Sequence, residues 1–220
     1  MWSESIDTTE FLGVVRPALQ RGCAQTLARV ITERWSPQQL CQLLREPCGD
    51  VKKAACLVLG LVGDASVMQC LAHALHDGDP KVNELAEHAL WSIWFRGGSG
   101  EAQGDFQRGL AALEANKSEE AIVWFRRAHE VDPNFAEAYN QCAIAHYMLE
   151  QWEEAAEDCQ KTVDLIPIHF GALAGLGHCY AQMGRFFDAA KMYRRAIAVH
   201  PTIEGIADAL DGIEKCVSDA

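Results

Sequence analysis

Three prolines recur at a fixed spacing in the second half of the chain. They lie in the segments EVDPNF, DLIPIH and AVHPTI, as Pro133, Pro167 and Pro201, each 34 residues after the one before. Each proline follows a run with helical periodicity and would end that helix, because its ring interrupts the backbone hydrogen-bond ladder. A fixed spacing of this kind predicts an internal structural repeat.

Other residue types recur with the same 34-residue spacing. Between the prolines, each unit divides into two amphipathic runs of roughly 12–14 residues, joined by a short polar turn. One set of equivalent positions holds Gly109, Ala143 and Gly177, and another holds Phe125, Cys159 and Tyr193. A small residue lets two antiparallel helices approach closely, and a bulky residue fills the space beside it. The pattern predicts an all-α fold of antiparallel helix pairs.

This pattern resembles the tetratricopeptide repeat, with a small residue in the first helix, alanine and an aromatic residue in the second, and a closing proline. The first repeat matches at Gly109, Ala121, Phe125, Ala128 and Pro133, and the third at Leu176, Gly177, Tyr180, Ala189, Tyr193, Ala196 and Pro201. The second keeps Tyr139, Ala143, Ala155 and Pro167 but has Cys159 and Thr162 at the aromatic and alanine positions. The resemblance implies three repeats over residues 102–203.

The end of the chain is expected to cover the last repeat. One helical stripe after Pro201 holds Ile203, Ile206, Ala207, Leu210 and Ile213. A repeat array needs a terminal helix with one apolar and one polar face. Residues 204–220 are therefore predicted to be a C-terminal capping helix and tail.

A shorter repeat lies upstream, with a shift of 31 residues between residues 50–64 and 79–94. The matched pairs are Val51 with Val82, Ala55 with Ala86, Leu59 with Leu90, and Val62 with Ile93. The pattern resembles the HEAT-like repeats first noted in phycobilisome lyases, where a valine, paired alanines and Leu-Gly precede a Gly-Asp turn. The resemblance implies two to three such repeats within residues 1–96, the first of them degraded.

A glycine-rich junction over residues 97–101 is predicted to join the two arrays. Trp91, Trp94 and Phe95 directly precede it and would be exposed if the halves separated, which is costly for an aromatic cluster. We expect one α-solenoid with a short bend, HEAT-like and then tetratricopeptide; a flexible linker is the alternative.

Charge and composition narrow the possible partners and the compartment. Residues 101–220 hold 10 Lys+Arg against 20 Asp+Glu, and so carry −10 of the net charge of −12. A surface of that sign repels phosphate backbones, so no nucleic-acid partner is expected. No run of 18 apolar residues is present, and the first residues lack the features of an export signal. Nine cysteines without a Cys-x-x-Cys pair predict a cytoplasmic protein without disulfides.

Several segments contain residues that could perform chemistry, but each has a plainer interpretation. His73 and His76 lie close to Asp77 and Asp79, as in some metal sites, yet the run is typical of a helix end and the turn after it. Glu87-His88 resembles one His-Glu pair of a HEAT-type di-iron hydroxylase, but the earlier repeats lack an equivalent pair. The five acids within residues 150–158 are typical of a solvated helix start. We predict no catalytic residues, metal or cofactor.

The tetratricopeptide resemblance implies a concave groove lined by the first helix of each repeat. Mapped onto this chain, the partner-binding residues are Phe106, Leu110, Leu113, Asn140, Ile144, Tyr147, Ala174, His178 and Gln182. Family members that clamp the carboxylates of chaperone tails use Lys, Arg and Asn at set groove positions. Here Phe106, Leu110, Gly171 and Gly175 occupy four of these positions. The resemblance therefore implies a groove without a chaperone carboxylate clamp. The alternative to an open groove is one that the preceding HEAT-like helices or the capping helix partly cover.

Three functional hypotheses remain open from the sequence. The first is a non-catalytic adaptor or scaffold whose groove binds a helix or extended segment of another protein. The second is an accessory subunit of an enzyme, a lyase-like or cofactor-handling helper acting through the HEAT-like half. The third is self-association through an uncovered end of the HEAT-like array near residues 1–20.

Overall fold

A computed structural model describes the backbone of residues 6–218 and the side chains of residues 6–215. The chain divides into two compact units between Phe95 and Arg96. All regular structure in the described residues is helical, in agreement with the predicted all-α class. No helix among these residues has the length and apolar character needed to cross a membrane.

Residues 6–95 of the first unit contain six α-helices of unequal length. They are α1 (Thr8–Gln20), α2 (Ala24–Arg34), α3 (Pro37–Gln42), α4 (Gly49–Val62), α5 (Met68–Ala74) and α6 (Pro80–Phe95). Short 3-10 turns extend α3 over Leu43–Arg45 and precede α5 over Ala65–Val67. The start of α3 has a capping box, in which Ser36 accepts from the Gln39 N–H and the Gln39 side chain accepts from the Ser36 N–H.

Helix α4 lies at the centre of the first unit and packs against α1, α2, α3 and α6. Of the α4 side chains matched by the 31-residue shift, Val51, Ala55 and Leu59 are buried and Val62 is half-buried. Their equivalents in α6 are buried as well. A Cβ on Gly60 would lie 3.0 Å from the Cα of Ala89, so glycine permits the close approach of α4 and α6.

Helix α1 covers the beginning of the HEAT-like array, which the sequence pattern had left uncovered. Phe11 and Val15 are fully buried, and the Phe11 ring meets Trp35 edge-on at 5.6 Å between centroids. The Asp7 carboxylate caps the helix by accepting from the N–H groups of Thr9 and Glu10.

The second unit contains three helix pairs followed by a single helix. They are α7 (Gly100–Glu114), α8 (Ser118–Val131), α9 (Ala136–Met148), α10 (Trp152–Leu165), α11 (Phe170–Gln182), α12 (Phe186–Val199) and α13 (Ile206–Ser218). Each of the three repeat prolines lies two residues after the second helix of its pair. Two residues of the predicted junction, Gly100 and Glu101, belong to α7, so the non-helical segment between the units is 96–99.

The first helix of every pair ends with the same hydrogen-bond geometry. Asn116, Glu150 and Gly184 follow these helices, 34 residues apart, and have positive φ values of 57°, 59° and 71°. The next N–H in each case donates to a carbonyl five residues earlier, as from Lys117 to Ala112 at 2.9 Å. Glycine adopts this left-handed conformation without strain, whereas asparagine and particularly glutamate do not.

The predicted pairing of small and bulky residues is confirmed within the helix pairs. A Cβ on Gly109 would lie 2.4 Å from the Phe125 ring, and one on Gly177 would lie 2.5 Å from the Tyr193 ring. The aromatic rings therefore pack directly on the backbone of the first helix. Real Cβ atoms do not approach so closely, so these two positions require glycine in this packing.

The structure corrects two details of the sequence interpretation. Cys41 and Cys70 form a disulfide between the α3 and α5 helices, where no disulfide was expected. Among the described side chains, six further cysteines are free, and four of these are buried. In the capping helix α13, Ile206 and Ile213 are buried as predicted, but Ala207 is exposed because Ala209 turns toward the core instead.

Candidate functional site: the inner groove of the second unit

The first helices of successive pairs lie side by side, with α9 in contact with both α7 and α11. This arrangement places the nine predicted groove residues along one series of neighbouring helices. Their accessibility differs: Phe106, Asn140 and Ala174 are buried, Leu110, Leu113, Tyr147 and His178 are half-buried, and Ile144 and Gln182 are exposed. Six of the nine residues therefore offer surface to a partner.

Phe106 belongs to the core and not to the binding surface. Its side chain is fully buried, and its ring centroid lies 5.7 Å from that of Phe125 and 4.7 Å from that of Phe135. The assignment of Phe106 as partner-binding is wrong, because packing against these two rings removes it from contact with a ligand. Ala174 is only 6% exposed and is also part of the core.

Asn140 is occupied by a buried polar network. Its Nδ2 donates to Glu137 Oε1 at 3.0 Å, and Gln141 Nε2 donates to the same oxygen at 2.7 Å. A partner backbone would have to compete with these bonds, so Asn140 is not a ready hydrogen-bonding group on the surface.

The exposed part of the surface consists largely of aliphatic side chains. Leu110 and Leu113 of α7 are half-buried, and Ile144 of α9 is 42% exposed. Met148 lies one helical turn after Ile144 and is 51% exposed, although the sequence mapping did not include it. The i, i+4 spacing on the same helix was the signal that could have identified Met148. We call Leu110, Leu113, Ile144, Tyr147, Met148, His178 and Gln182 the inner groove.

The end of the inner groove toward the third repeat is aromatic and more polar. The Tyr147 ring lies 4.7 Å from Trp152 and 6.4 Å from His178, and Gln182 Nε2 donates to the Tyr147 hydroxyl at 3.4 Å. Burial lowers the pKa of His178, which favours the neutral ring. Its Nδ1 lies 2.7 Å from the Tyr193 hydroxyl, and burial raises the pKa of that hydroxyl to about 12. The tyrosine thus remains protonated, and its hydroxyl shares this hydrogen bond with His178.

A second polar network, which the sequence did not predict, joins the second and third repeats. His169 Nδ1 accepts from the Ala172 N–H at 3.0 Å, so its Nε2 carries the proton and donates to Glu137 Oε2 at 2.9 Å. Both side chains are completely buried. A histidine–glutamate pair can act in acid–base chemistry, but here no solvent reaches it, so its role is to hold α9 against the start of α11.

The histidine-containing segments singled out from the sequence do not assemble a metal site. His73 and His76 are exposed, and neither joins any group of three close potential ligands in the described part of the chain. Asp77 and Asp79 instead pair with Lys52 at 2.5 Å and Lys53 at 2.7 Å.

Comparison with known families accounts for both units. Residues 15–91 match the profile described as HEAT repeats. Residues 109–150 match a TPR repeat profile, and residues 170–202 match a tetratricopeptide repeat profile. The chain is built of HEAT repeats followed by tetratricopeptide repeats. Both predicted resemblances are confirmed, as is the all-α repeat fold.

The curated relatives resemble about half of this chain. Sperm-associated antigen 1 of Rattus norvegicus is 29% identical over 108 residues, which are 49% of this chain and 12% of that protein. The Hsp70-Hsp90 organizing protein of Triticum aestivum is 28% identical over 111 residues, which are 50% of this chain and 19% of that protein. The chain thus spans less than a fifth of the length of either relative.

Solved structures agree with the tetratricopeptide fold. The first TPR of Spaghetti (RPAP3), bound to the HSP90 peptide SRMEEVD, superposes with a TM-score of 0.54 at 22% identity, covering 55% of this chain and 95% of that one. The Sgt2 TPR domain from Aspergillus fumigatus gives a TM-score of 0.53 at 20% identity, covering 56% and 82%. At this level of identity the likeness shows the fold alone.

Proposed function

We propose that the protein is a non-catalytic adaptor that binds another protein in the inner groove. The observation that supports this most strongly is the set of accessible apolar side chains on neighbouring helices, with Ile144 and Met148 exposed on the middle helix, α9. Exposed apolar surface that is contiguous is costly in water and marks interaction sites. Relatives named for organizing chaperones, and a TPR structure bound to a peptide, are consistent with a protein ligand.

The binding free energy would come from burying this apolar surface. Each Å² of apolar surface removed from water contributes roughly 25 cal/mol before the cost of ordering the partner. The polar groups at the aromatic end, Gln182 and His178, would orient the bound segment. A helix or an extended apolar segment fits such a surface.

We further propose that the groove does not act as a carboxylate clamp of the chaperone-binding type. Phe106 and Leu110 stand at two positions where clamp members carry Lys and Asn, and Gly171 and Gly175 stand at two others that carry Lys and Arg. The excess of acidic residues over residues 101–220 also repels an acidic peptide tail. An SRMEEVD peptide, the ligand of the Spaghetti TPR structure, should therefore bind only weakly and without saturation in a fluorescence-anisotropy titration.

The direct test is the capture of partner proteins by groove variants. Leu110→Asp and Ile144→Asp place a charge among the aliphatic side chains and should remove partner proteins from affinity captures of native lysate, identified by mass spectrometry. The matched control is Val123→Asp on α8, because Val123 is also exposed, at 57%. Unchanged circular dichroism verifies that the groove variants fold. Identical captures by wild-type protein and both groove variants would exclude the inner groove as the binding site.

The cytoplasm is the compartment that we propose for this adaptor. Four buried free thiols, Cys56, Cys142, Cys159 and Cys179, support a reducing environment. The Cys41–Cys70 disulfide is unusual for that environment. Mass spectrometry after rapid alkylation of cells would show whether Cys41 and Cys70 are reduced or oxidised in the cell. A reduced pair fits the cytoplasm, and an oxidised pair contradicts it.

A further inference from the structure

Three potential metal ligands from three different helices converge in the second unit. His129 lies in the last turn of α8, Cys142 in the middle of α9, and Asp158 in α10. One ligand atom from each, an imidazole nitrogen, a thiol sulfur and a carboxylate oxygen, lie within 4.8 Å of one another. Cys142 follows His129 by 13 residues and Asp158 follows Cys142 by 16, so the three do not form a short sequence motif.

We propose that His129, Cys142 and Asp158 form a binding site for a divalent transition-metal ion of the Zn²⁺ class. Zn²⁺ takes nitrogen, sulfur and oxygen ligands at about 2.0–2.3 Å in tetrahedral geometry, which places ligand atoms roughly 3.3–3.8 Å apart. The separations here require only small side-chain movements to reach that geometry. The mixed set of one soft and two harder ligands favours Zn²⁺ or Co²⁺ over Mg²⁺ or Ca²⁺.

The surroundings of the three ligands already restrict their orientation. The His129 ring stacks on Tyr139, with centroids 4.1 Å apart and planes 13° from parallel. The His129 ring is half-buried, and its imidazole nitrogens are of the type that binds Zn²⁺. Cys142 is fully buried, and a metal ion that binds its sulfur has to displace the thiol proton.

The fourth coordination position of a tetrahedral ion would be left to a water molecule. His146 Nε2 lies 3.9 Å from Asp158 Oδ2 but does not belong to the close group of three ligands. The Arg126 guanidinium lies 3.3 Å from the same nitrogen and brings a positive charge next to the site. Because Arg126 is otherwise exposed to solvent, it can move outward when a cation binds, but it should weaken the affinity.

A metal ion here would join the first two tetratricopeptide repeats. Its ligands come from the second helix of the first repeat and from both helices of the second. An ion that binds the folded state and not the unfolded chain stabilises the fold by mass action. The proposal does not depend on the inner groove, which has none of these three residues.

Cobalt titration of the full, metal-free chain under reducing conditions tests the site. A thiolate–Co²⁺ absorption band in the near ultraviolet should appear at one equivalent, vanish on addition of Zn²⁺, and accompany a rise in melting temperature. His129→Gln and Asp158→Asn should each weaken binding by about tenfold or more, and Cys142→Ser should abolish the band. Arg126→Gln should bind more tightly than the wild type.

Matched controls separate this site from other thiols. Cys179→Ser removes a buried thiol of the same unit, and Cys23→Ser removes an exposed one; both should leave the titration unchanged. If Cys142→Ser does not fold, His129→Gln and Asp158→Asn still decide the question. Absence of a thiolate band in wild-type protein, or a band that survives unchanged in His129→Gln and Asp158→Asn, would overturn the proposal.

Discussion

The two units solve the same packing problem with different degrees of regularity. In the tetratricopeptide unit, helix lengths of 13–15 residues repeat, and the first helix of each pair ends at Asn116, Glu150 or Gly184 with the same left-handed geometry. In the HEAT unit, α3 and α5 have only six and seven residues. Short helices bury little surface, so this unit relies more on specific links between its elements.

Those links connect α3 to α5, and α4 to the turn that follows α5. The Cys41–Cys70 disulfide joins α3 to α5, and two lysines of α4 reach the aspartates after α5, Lys52 to Asp77 and Lys53 to Asp79. The burial of Asp77 acts to raise the pKa of its carboxyl, but the hydrogen bonds from Lys52 and from the Asp79 N–H, together with the charge of Lys52, outweigh this and hold the pKa below its usual value. The comparison teaches that the second unit repeats the same packing in successive helix pairs, whereas the first unit adds a disulfide and two lysine–aspartate pairs to a less regular core.

The largest expected difference between the units concerns the disulfide. Reduction of Cys41–Cys70, or Cys41→Ala with Cys70→Ala, opens a loop with a sequence separation of 29 residues and should destabilise the first unit by about 3–4 kcal/mol. The second unit should be unaffected. Denaturant unfolding followed by hydrogen exchange of each unit measures both effects. An equal loss in the two units, or no loss in either, would contradict this division of roles.

The next largest effect should come from the glycine contacts of the tetratricopeptide unit. Gly177→Ala forces a Cβ into the Tyr193 ring and should cost about 2–3 kcal/mol in free energy of unfolding. Gly212→Ala on α13 is the control, since no atom lies within 4 Å of its added Cβ. That variant should be neutral or stabilising. Equal stability of the two variants would show that packing of an aromatic ring on glycine does not stabilise the helix pairs.

The smallest effect should arise at the left-handed residues that close the first helices. Glu150→Gly relieves a conformation unfavourable for glutamate and should stabilise the second unit by about 0.5–1 kcal/mol. Gly184→Ala should destabilise it by about 1 kcal/mol for the opposite reason. Thermal melts of both variants measure the difference, and shifts of the same sign would refute the explanation.

The sequence predicted most of the second unit because its repeat sets both spacing and side-chain size. The closing proline recurs in all three repeats, and the contact of a glycine with an aromatic ring recurs in the first and the third. Helix α1 went unrecognised because it has no repeat partner, and its Pro17 resembles a helix break although it lies inside the helix. The 31-residue periodicity predicted the apolar core positions of the HEAT unit, but it could not predict the pairing of Cys41 with Cys70.

The candidate sites were less predictable because accessibility depends on tertiary packing. Phe106 occupies a groove position in the repeat pattern, yet the rings of Phe125 and Phe135 enclose it. Met148 emerged only with the observed exposure of α9. The cluster of His129, Cys142 and Asp158 depends on how three helices meet, which no local spacing records.

The central claim, that partner recognition takes place in the inner groove, is tested most directly by photocrosslinking in cells. A photoreactive amino acid at Ile144 should form a discrete covalent adduct with a partner protein, and one at the more exposed Val123 should not. Adduct formation at Ile144 that is lost when Leu110→Asp is added would support the account. Adducts only at Val123, or equal adducts at both positions, would contradict it.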